Sequence, residues 1–412
     1  LPMRLADFEK RLNPEQLSAV KTVDGPVQIL AGAGSGKTRV ITCRIAYMLN
    51  RGIPQSAILA VTFTNKAARE MRERVERLVP EGGRSWIGTF HATGVRILRR
   101  EAEALGYPRE FTIYDADDSR SVIKKVLKGR KADPKQYAPR TVASAISRFK
   151  NESLSPEEAR AEALSLYDER LAIYYGDYEK MLRANGAMDF DDLIARTVEL
   201  FERCPEVQQR YARRFRYVLV DEFQDTNPLQ LILTKALSAV HKNLFAVGDD
   251  DQAIYSWRGA TVENMLNFES YFPGARVMRL EQNYRSTGTI LKAANEVIRK
   301  NARRRGKELW TDAAKGDPLE LWWVDDEEGE ALAVRSRVEE MVREGECRRR
   351  DCVVLYRTNA QSRALEDALR RAGVPYQIVG GTRFYERREV RDVLAYLKLV
   401  VNPADGVSFE RV

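Results

Sequence analysis

One eight-residue segment, residues 31–38, constrains the fold of this chain more than any other part of the sequence. It reads AGAGSGKT, a glycine-rich run that ends in lysine and threonine. The apolar residues 26–30 before it predict a buried strand, and residues 39–50 after it have the apolar spacing of an amphipathic helix. This order predicts an α/β fold with a phosphate-binding loop. The alternative, an ordinary glycine-rich turn, does not need the Gly-Lys-Thr ending.

Residues within this segment have predicted roles in binding a nucleotide and its metal ion. Lys37 is expected to reach the β- and γ-phosphates, and the Thr38 hydroxyl is expected to hold Mg²⁺. Ala31 stands where such loops usually begin with glycine, a departure that the later glycines tolerate. Backbone N–H groups and the helix N-terminus attract phosphate. The residues expected to surround the phosphates are Gly32, Ala33, Gly34, Ser35 and Gly36.

The length and charge of the chain narrow the choice of function class. Its 412 residues predict about two to four domains. The 68 basic and 60 acidic residues give a net charge of +8, which favours a polyanionic partner. The 4 cysteines have no histidine nearby, which argues against a zinc site and fits a reducing cytoplasm. No apolar run in the sequence approaches the length of a membrane span.

Apolar segments alternate with helical ones up to about residue 105, which predicts a parallel sheet with crossover helices. From about Asp115 to Gly186 the pattern is helical and rich in charge, so we expect an inserted helical subdomain there. A second α/β unit is expected from about Thr287, and helix again from about Arg387. The predicted strands cover residues 26–30, 58–63, 86–90, 217–220, 244–247, 319–323 and 352–356.

Two adjacent acids, Asp221 and Glu222, follow the predicted strand 217–220. Phosphoryl transfer needs such a pair, because Asp221 would hold Mg²⁺ directly or through water, and Glu222 would orient and deprotonate the attacking water. A charged turn after a strand is the alternative, and the acids alone do not separate the two. The phosphate-binding loop favours the catalytic interpretation, since both parts belong to one mechanism.

A third polar segment, residues 247–259, also begins where a predicted strand ends. Gln252 would sense the γ-phosphate there. Tyr255 and Trp257 would stack on unpaired bases, and Arg258 would add a cation–π or phosphate contact. The spacing alone favours the other interpretation, in which Tyr255 and Trp257 are core aromatics.

Eight ordered segments resemble those of the superfamily-one DNA helicases of the UvrD/PcrA/Rep group. They are residues 12–16, 31–38, 62–68, 88–91, 221–227, 248–259, 282–286 and 356–362. The resemblance covers essentially the whole chain. It implies an α/β fold with a RecA-like P-loop motor lobe, a helical subdomain inserted in that lobe, and an incomplete second RecA-like lobe.

The resemblance also implies roles for individual residues. Gln16 would read the adenine edge, Tyr284 would stack on the adenine ring, and Arg39 would contact the nucleotide. Arg285 would act as an arginine finger, and Gln252 would couple the γ-phosphate to the DNA-binding surface. With Lys37 and Glu222, these two complete the predicted catalytic set. The residues expected along the DNA strand are Phe63, Thr89, His91, Phe190, Tyr255, Trp257, Arg258 and Asn359. Residue type leaves Phe63 and Phe190 open as core residues and His91 as a helix cap.

The function implied by the resemblance is ATP- and Mg²⁺-dependent 3′-to-5′ translocation on single-stranded DNA. Duplex unwinding at single-strand/duplex junctions would follow, in DNA repair or replication, in the bacterial cytoplasm at the nucleoid. Members of the group continue beyond the segment near residues 401–403, so this chain is expected to be an N-terminal fragment that hydrolyses ATP poorly. The predicted divisions are residues 1–112 with 190–286 (first lobe), 113–189 (helical subdomain), 287–386 (partial second lobe) and 387–412 (start of a second helical insertion).

Three alternative functions use parts of the same motif set. A nucleotide-gated module that binds single-stranded DNA without productive turnover is the main one. A nuclease-linked recombination helicase would need an acidic cluster that does not stand out in the sequence. A small-molecule kinase that shared only the phosphate loop would have no use for the aromatic segment 248–259 or for Tyr284 and Arg285.

Overall fold

The computed structural model describes residues 5–80, 82, 85–379 and 388–412. The chain divides into two compact units of unequal size. The first unit comprises Leu1–Gly316 together with Asp392–Val412, and the second comprises Asp317–Arg391. The lobe and subdomain boundaries stay predictions, and the one at residues 386–387 lies outside the described residues.

A six-stranded parallel sheet forms the centre of the first unit. The strands of this unit are β1 (Val27–Ala31), β2 (Ile58–Thr62), β3 (Trp86–Thr89), β4 (Thr112–Ile113), β5 (Ala187–Met188), β6 (Tyr217–Val220), β7 (Leu244–Gly248) and β8 (Arg276–Leu280). The order across the sheet is β3-β2-β6-β7-β1-β8, and every neighbouring pair is parallel. Strands β4 and β5 form a separate parallel pair. The α/β fold and the five strands predicted before residue 250 are confirmed.

Alternate side chains of the central strands enter two different apolar clusters. In β6, Val218 and Val220 belong to one cluster, whereas Leu219 belongs to the other. Because both faces of the sheet are covered, the residues of β1, β2, β6 and β7 are buried, and most of them are apolar. All six strands run in the same direction, so the polar segments that follow β1, β6 and β7 meet at one edge of the sheet.

Five helices surround the first three strands. Threonine caps set the start of two of them, since the Thr64 hydroxyl accepts from the N–H of Ala67 and the Thr89 hydroxyl accepts from the N–H of Ala92. The helices are α1 (Leu5–Arg11), α2 (Pro14–Lys21), α3 (Lys37–Asn50), α4 (Asn65–Leu78) and α5 (Phe90–Glu101).

Residues between β4 and β5 form a helical subdomain with its own apolar cluster. Its helices are α6 (Ala116–Gly129), α7 (Pro139–Asn151), α8 (Pro156–Ala161) and α9 (Leu166–Ala184). Lys150 is buried there, with carboxylate oxygens of Glu179, Asp189 and Asp192 2.7, 2.7 and 2.8 Å from its Nζ. Burial opposes the charge of Lys150, but Asp189 and Asp192 hold its pKa above the ordinary value. The helical character predicted for this stretch is confirmed.

Six more helices complete the first unit up to Gly316. They are α10 (Asp192–Arg203), α11 (Pro205–Arg214), α12 (Pro228–Ser238), α13 (Glu263–Leu266), α14 (Phe268–Tyr271) and α15 (Gly288–Ile298). Among the described helices of the whole chain, none combines the length and the apolar character that a membrane crossing requires.

The described residues of the second unit form two long helices, α16 (Glu327–Arg343) and α17 (Ser362–Arg371). The strands predicted at residues 319–323 and 352–356 are wrong, since both segments are irregular in the structure. Trp323 and Leu355 are each 89% exposed. An apolar segment becomes a strand only when a neighbour pairs with its backbone, and among the described residues neither segment has such a partner.

The chain ends in helices α18 (Arg388–Val401) and α19 (Gly406–Arg411), which confirms the helical pattern predicted for this region. From Asp392 onward this segment packs with the helical subdomain of the first unit. The Tyr114 hydroxyl donates to the Asp405 carboxylate at 2.7 Å, and Lys398 Nζ lies 2.8 Å from the Asp118 carboxylate. Asn402 is buried and donates to the Thr112 hydroxyl at 2.9 Å.

Candidate functional site

The loop between β1 and α3 takes its shape from two glycines. Gly34 and Gly36 have φ angles of +70° and +89°, in the left-handed region where a residue with a Cβ is strained. A Cβ at Gly34 would lie 2.5 Å from Nδ2 of Asn283, and a Cβ at Gly36 would lie 2.9 Å from Nε2 of Gln16. The backbone conformation therefore favours glycine at these two positions, and the close neighbours leave little room for a side chain there.

Side chains from two distant segments hold this loop from the outside. Nε2 of Gln16 donates to the carbonyl of Ser35 at 2.9 Å, and Nδ2 of Asn283 donates to the carbonyl of Ala33 at 2.7 Å. These contacts use carbonyl groups, so they do not compete with an anion for the N–H groups of the loop.

The two predicted acids follow β6 at the same edge of the sheet. The N–H of Asp221 donates to the carbonyl of Val61 at 2.9 Å, which extends the parallel ladder by one residue. Glu222 then turns away with a φ of +50°, a conformation that costs about 1–3 kcal/mol for such a residue. Its Oε2 lies 2.6 Å from Nζ of Lys37, which is 185 positions earlier in the chain. We call Lys37, Asp221 and Glu222 the nucleotide edge.

Two carboxyl groups at or near the nucleotide edge have raised pKa values. Burial, reinforced by the charge of Glu222, raises the pKa of Asp221 and of Asp225 to about 7, and Lys37 acts against both shifts. A bound cation would favour the ionised carboxylate. Carboxylate and hydroxyl oxygens are the ligands that Mg²⁺ prefers, so Asp221 and Thr38, in the first turn of α3, fit that ion chemically.

A chain of hydrogen bonds leads from Glu222 to Gln252. Nε2 of Gln224 donates to Oε2 of Glu222 at 2.9 Å, and Oε1 of Gln224 accepts from the N–H of Asp249 at 2.9 Å. Nε2 of Gln252 donates to the Asp249 carboxylate. The residue predicted to sense the γ-phosphate is thus joined to the residue predicted to act as base. Gln224 and Asp249 lie within segments singled out in the sequence, but their linking role was not predicted.

Three consecutive aspartates after β7 surround one buried lysine. Nζ of Lys307 lies 2.7 Å from Oδ1 of Asp249 and 2.8 Å from Oδ2 of Asp251, and it also pairs with Asp250. Burial opposes the charge of Lys307, but the carboxylates raise its pKa above the ordinary value. These aspartates are the one group of three acids in the described residues that could share a metal ion. Because Lys307 and Arg304, whose guanidinium lies 3.0 Å from the Asp251 carboxylate, already pair with these acids, we assign an ion-pair cluster. No sequence signal pointed to Lys307.

The residues predicted to contact adenine gather beside the loop. Oδ1 of Asn13 accepts from the N–H of Gln16 at 2.7 Å, and Nδ2 of Asn13 donates to the hydroxyl of Tyr284 at 2.8 Å. The N–H of Tyr284 donates to the carbonyl of Gly34 at 3.0 Å. The structure therefore places Gln16 and Tyr284 together, and the Tyr284 side chain is 53% exposed.

The two predicted nucleotide-binding arginines have different surroundings. Arg285 is so close to the loop that a Cβ on Gly34 would lie 2.8 Å from the Arg285 Cβ. Arg39, on the first turn of α3, is exposed and donates to the carbonyl of Arg11 at 2.5 Å. Its guanidinium is therefore engaged with the N-terminal helix α1.

Aromatic rings from two segments form a row beside the nucleotide edge. The rings of Phe63 and Tyr255 stack with centroids 5.1 Å apart at 29°, and the Trp257 ring is 6.1 Å from Tyr255. The Arg258 guanidinium lies 4.6 Å from the centroid of the Trp257 ring. We call Phe63, Tyr255 and Trp257 the aromatic row. It is compatible with stacking on bases, with a cation beside it for phosphate or π contact.

A second stack is formed by His91 and Phe190, whose ring centroids are 4.0 Å apart. Burial lowers the pKa of His91 to about 4, so the imidazole is neutral at neutral pH. The helix-cap interpretation of His91 is wrong, because the hydroxyl of Thr89 caps α5. Thr89 itself is buried at this cap.

The core interpretations of the aromatic residues fail in part. Trp257 is 71% exposed and Phe190 is 58% exposed, so neither is a core residue. Phe63 and Tyr255 are half-buried. Single apolar residues on a surface are ordinary, but several large rings exposed next to one another mark an interaction site.

Asn359 lies in the second unit, in the turn Asn359–Gln361 that precedes α17. The preceding Thr358 forms a capping box with Gln361, which fixes this turn locally. The structure thus brings together the predicted nucleotide residues and most predicted DNA residues within the first unit, whereas the role of Asn359 stays a prediction.

Comparisons with known proteins agree with this arrangement. Residues 12–273 match the family described as UvrD/REP helicase N-terminal domain, and residues 278–412 match the UvrD-like helicase C-terminal domain. The chain is 51% identical over 403 residues to the ATP-dependent DNA helicase PcrA of Bacillus subtilis (strain 168), covering 97% of this chain and 54% of that protein. It is 48% identical over 403 residues to the PcrA of Staphylococcus aureus (strain Mu50), covering 97% and 55%. The chain spans about half the length of these relatives. Since the first family match alone covers more than half of the sequence, the chain belongs to the UvrD/Rep helicase family.

Proposed function

We propose that this chain carries the motor of an ATP-dependent DNA helicase. It binds ATP and Mg²⁺, hydrolyses ATP and moves 3′ to 5′ along single-stranded DNA. Duplex is unwound at single-strand/duplex junctions, during repair or replication, in the bacterial cytoplasm at the nucleoid. Family membership supports the helicase class, and the relatives named ATP-dependent DNA helicase PcrA support ATP and DNA as ligands.

The observation that carries the proposal is the meeting of Lys37 and Glu222, 2.6 Å apart, at the edge where the glycine-rich loop ends. When nucleotide binds, Lys37 moves its contact to the β- and γ-phosphates and releases Glu222. The freed Glu222 carboxylate then orients the attacking water and accepts its proton. Arg285 beside the loop stabilises the charge that develops on the transferred phosphoryl group.

The residues present fit Mg²⁺ and a nucleotide. Thr38 and Asp221 would hold the ion, which would supply charge neutralisation for the phosphate oxygens. Gln16 binds the adenine edge and Tyr284 stacks on its ring, while Arg39 leaves Arg11 to contact the nucleotide. Gln252, joined to Glu222 through Gln224 and Asp249, responds to the γ-phosphate.

The aromatic row, with Arg258, Thr89, His91, Phe190 and Asn359, holds the DNA strand. Single strands bind to such surfaces because each base offers a π-face to a ring and each phosphate a charge to a cation. Gln252 and Tyr255 are three residues apart, so a shift of Gln252 toward the γ-phosphate would move the aromatic row. That linkage couples hydrolysis to displacement of the strand.

The test is steady-state ATP hydrolysis by the 412-residue chain, with and without a single-stranded oligonucleotide. We expect slow, DNA-stimulated turnover that Glu222→Gln lowers by about 10²–10⁴-fold, the range for loss of a general base, without loss of nucleotide affinity. Glu206→Gln, an exposed acid on α11, is the matched control and should retain activity. Loss of ATP binding in Glu222→Gln would contradict the role of Glu222 as base.

The Lys37–Glu222 ion pair favours one second candidate, a nucleotide-gated module that binds single-stranded DNA without productive turnover. While the Glu222 carboxylate stays paired with the Lys37 ammonium group, it is not free to orient an attacking water. Nucleotide-dependent strand binding, with hydrolysis no faster than in Glu222→Gln, would support this candidate over the motor.

A further inference from the structure

A cavity with no assigned role lies between α4, α5 and β3. Its volume of about 230 Å³ is well above the 10–15 Å³, roughly, that one water molecule requires. Of the ten residues that line it, three are arginines and none is acidic. Arg69 and Arg72 come from one face of α4, and Arg96 comes from α5. The cavity is therefore a concentration of positive charge between two helices, with Arg72 partly buried and Arg69 and Arg96 exposed at its opening.

Two of these guanidinium groups are held in place by the protein. Arg72 donates to the carbonyl of Ile87 at 2.6 Å. The Arg96 guanidinium carbon lies 5.2 Å from the centroid of the Trp86 ring, at cation–π distance. Both contacts orient a guanidinium, and neither supplies a negative charge.

The charge of the cavity is not neutralised by acids. Neither Arg72 nor Arg96 forms an ion pair with any described residue, and Arg69 has only a contact of 4.0 Å with Glu73. Burial and the charges of Arg72 and Arg100 lower the pKa of Arg96. Like charges held together in a partly enclosed space create a potential that an anion would relieve.

The position of the cavity indicates which anion. Gly88 and Ala92 line it, and they flank Thr89 and His91, which belong to the proposed strand-binding surface. A strand lying on that surface would bring its backbone to the mouth of the cavity. Guanidinium groups bind the oxygens of an anion through paired N–H donors, and the anion that a DNA backbone carries is phosphate.

We propose that this cavity binds a phosphate group of the DNA strand through Arg72 and Arg96. The proposal rests on the proposed function, since it adds a backbone contact beside the aromatic row. It assigns these arginines to affinity and to the path of the strand, without any part in hydrolysis.

The test is a fluorescence anisotropy titration of a labelled single-stranded oligothymidylate at several salt concentrations. We expect the variant Arg72→Gln/Arg96→Gln to bind several-fold more weakly at low salt. Its slope of log affinity against log salt should become shallower by about 0.7, the value for one phosphate contact on a single strand. The control is Arg77→Gln/Arg203→Gln, which removes two exposed arginines that do not line the cavity and should keep the wild-type slope.

Several outcomes would overturn the proposal. An unchanged slope in Arg72→Gln/Arg96→Gln would do so, as would an equal change in the control. Thermal unfolding of each variant, with the single variant Arg96→Gln as a milder change, separates a lost contact from a lost fold. Inorganic phosphate alone tests the other source of this anion. Inorganic phosphate could stabilise the wild type but not the double variant, while the slope of log DNA affinity against log salt stayed unchanged. The cavity would then bind free phosphate and not a phosphate group of the DNA strand.

The same titration separates this proposal from the proposed function. If Trp257→Ala weakened strand binding while the arginine variant kept its slope, the strand surface would stand and the phosphate contact would fail. If the wild-type chain bound no single strand at all, both would fail.

Discussion

The nucleotide edge and the aromatic row lie in the same unit, close to one edge of the sheet, but they are built in opposite ways. At the nucleotide edge, Asp221 is buried and Lys37 is paired with Glu222. In the aromatic row, Trp257 is 71% exposed, and its contacts are with Tyr255 and Arg258. At the nucleotide edge, Lys37 and Glu222 balance each other's charge until a ligand takes the place of one partner. The aromatic row keeps apolar surface open, so that binding itself covers it.

This difference has an energetic reason. A buried charge without a partner costs several kcal/mol, so a charged site must contain its own counter-ions. An exposed ring costs far less, and its stacking energy is gained only when a base arrives. Substitutions in the charged site should therefore lower the stability of the fold or the affinity for nucleotide. Substitutions in the aromatic row should lower only the affinity for single-stranded DNA.

The largest expected effect is on the cluster that supports the nucleotide edge. Lys307→Met leaves the carboxylates of Asp249, Asp250 and Asp251 together without an ammonium group. Its free energy of unfolding should fall by about 3–5 kcal/mol, as for a broken buried ion pair. Urea unfolding followed by circular dichroism measures this. Arg303→Met, which removes an exposed pair with Glu263, should stay within about 0.5 kcal/mol of the wild type. Equal losses in both variants would contradict the cluster's role.

The next effect concerns the nucleotide itself. Lys37→Ala should weaken ATP binding by about 2–5 kcal/mol, because it removes a charged contact to the phosphates. Titration with a fluorescent ATP analogue measures the loss, and Lys21→Ala, an exposed lysine on α2, is the control. Affinity for single-stranded DNA without nucleotide should not change. A parallel fall in DNA affinity would mean that Lys37 also contributes to DNA binding, and that the nucleotide edge and the aromatic row are not independent sites.

The aromatic row should respond in the opposite way. Trp257→Ala should weaken single-strand binding by about 1–3 kcal/mol and leave ATP affinity unchanged. Trp257→Phe keeps a ring at this position and should recover most of the affinity. Anisotropy titration with a labelled oligonucleotide gives both numbers. Unchanged strand affinity with a lowered melting temperature would mean that Trp257 stabilises the fold and does not bind the strand.

The fourth effect is a dependence of stability on pH. The pKa of Asp221 is about 7 in the folded chain and 3.8 as its ordinary value, so the folded state holds the proton more tightly between these values. Its ionisation therefore destabilises the folded chain as pH rises through this window. Asp221→Asn should be more stable than the wild type at about pH 8 and equal to it near about pH 4, with the difference growing as the pH rises between these values. Urea unfolding without nucleotide tests this, and a difference independent of pH would rule out the titration of Asp221 as its cause.

The sequence was a good guide wherever a local pattern specifies local structure. The loop at residues 31–38, the acids after β6 and the aromatic segment after β7 each follow an apolar strand, and parallel strands bring such segments to one edge. The strands predicted at residues 319–323 and 352–356 were wrong for the complementary reason. An apolar segment shows a preference for extended structure, but pairing depends on a partner elsewhere in the chain.

Burial and partners could not be derived from residue type. Trp257 and Phe190 fit a core as well as a surface by their chemistry, and only the packing leaves them exposed. Lys307 gave no signal in the sequence, because a lysine becomes an internal counter-ion only when distant segments enclose it with aspartates. The amino-acid sequence by itself determined the phosphate loop, the strand–helix order and the identity of the charged residues, since these depend on neighbours along the chain. The tertiary structure decided which charges meet, which rings remain open and where positive charge lacks a counter-ion, because these depend on contacts between residues far apart in sequence.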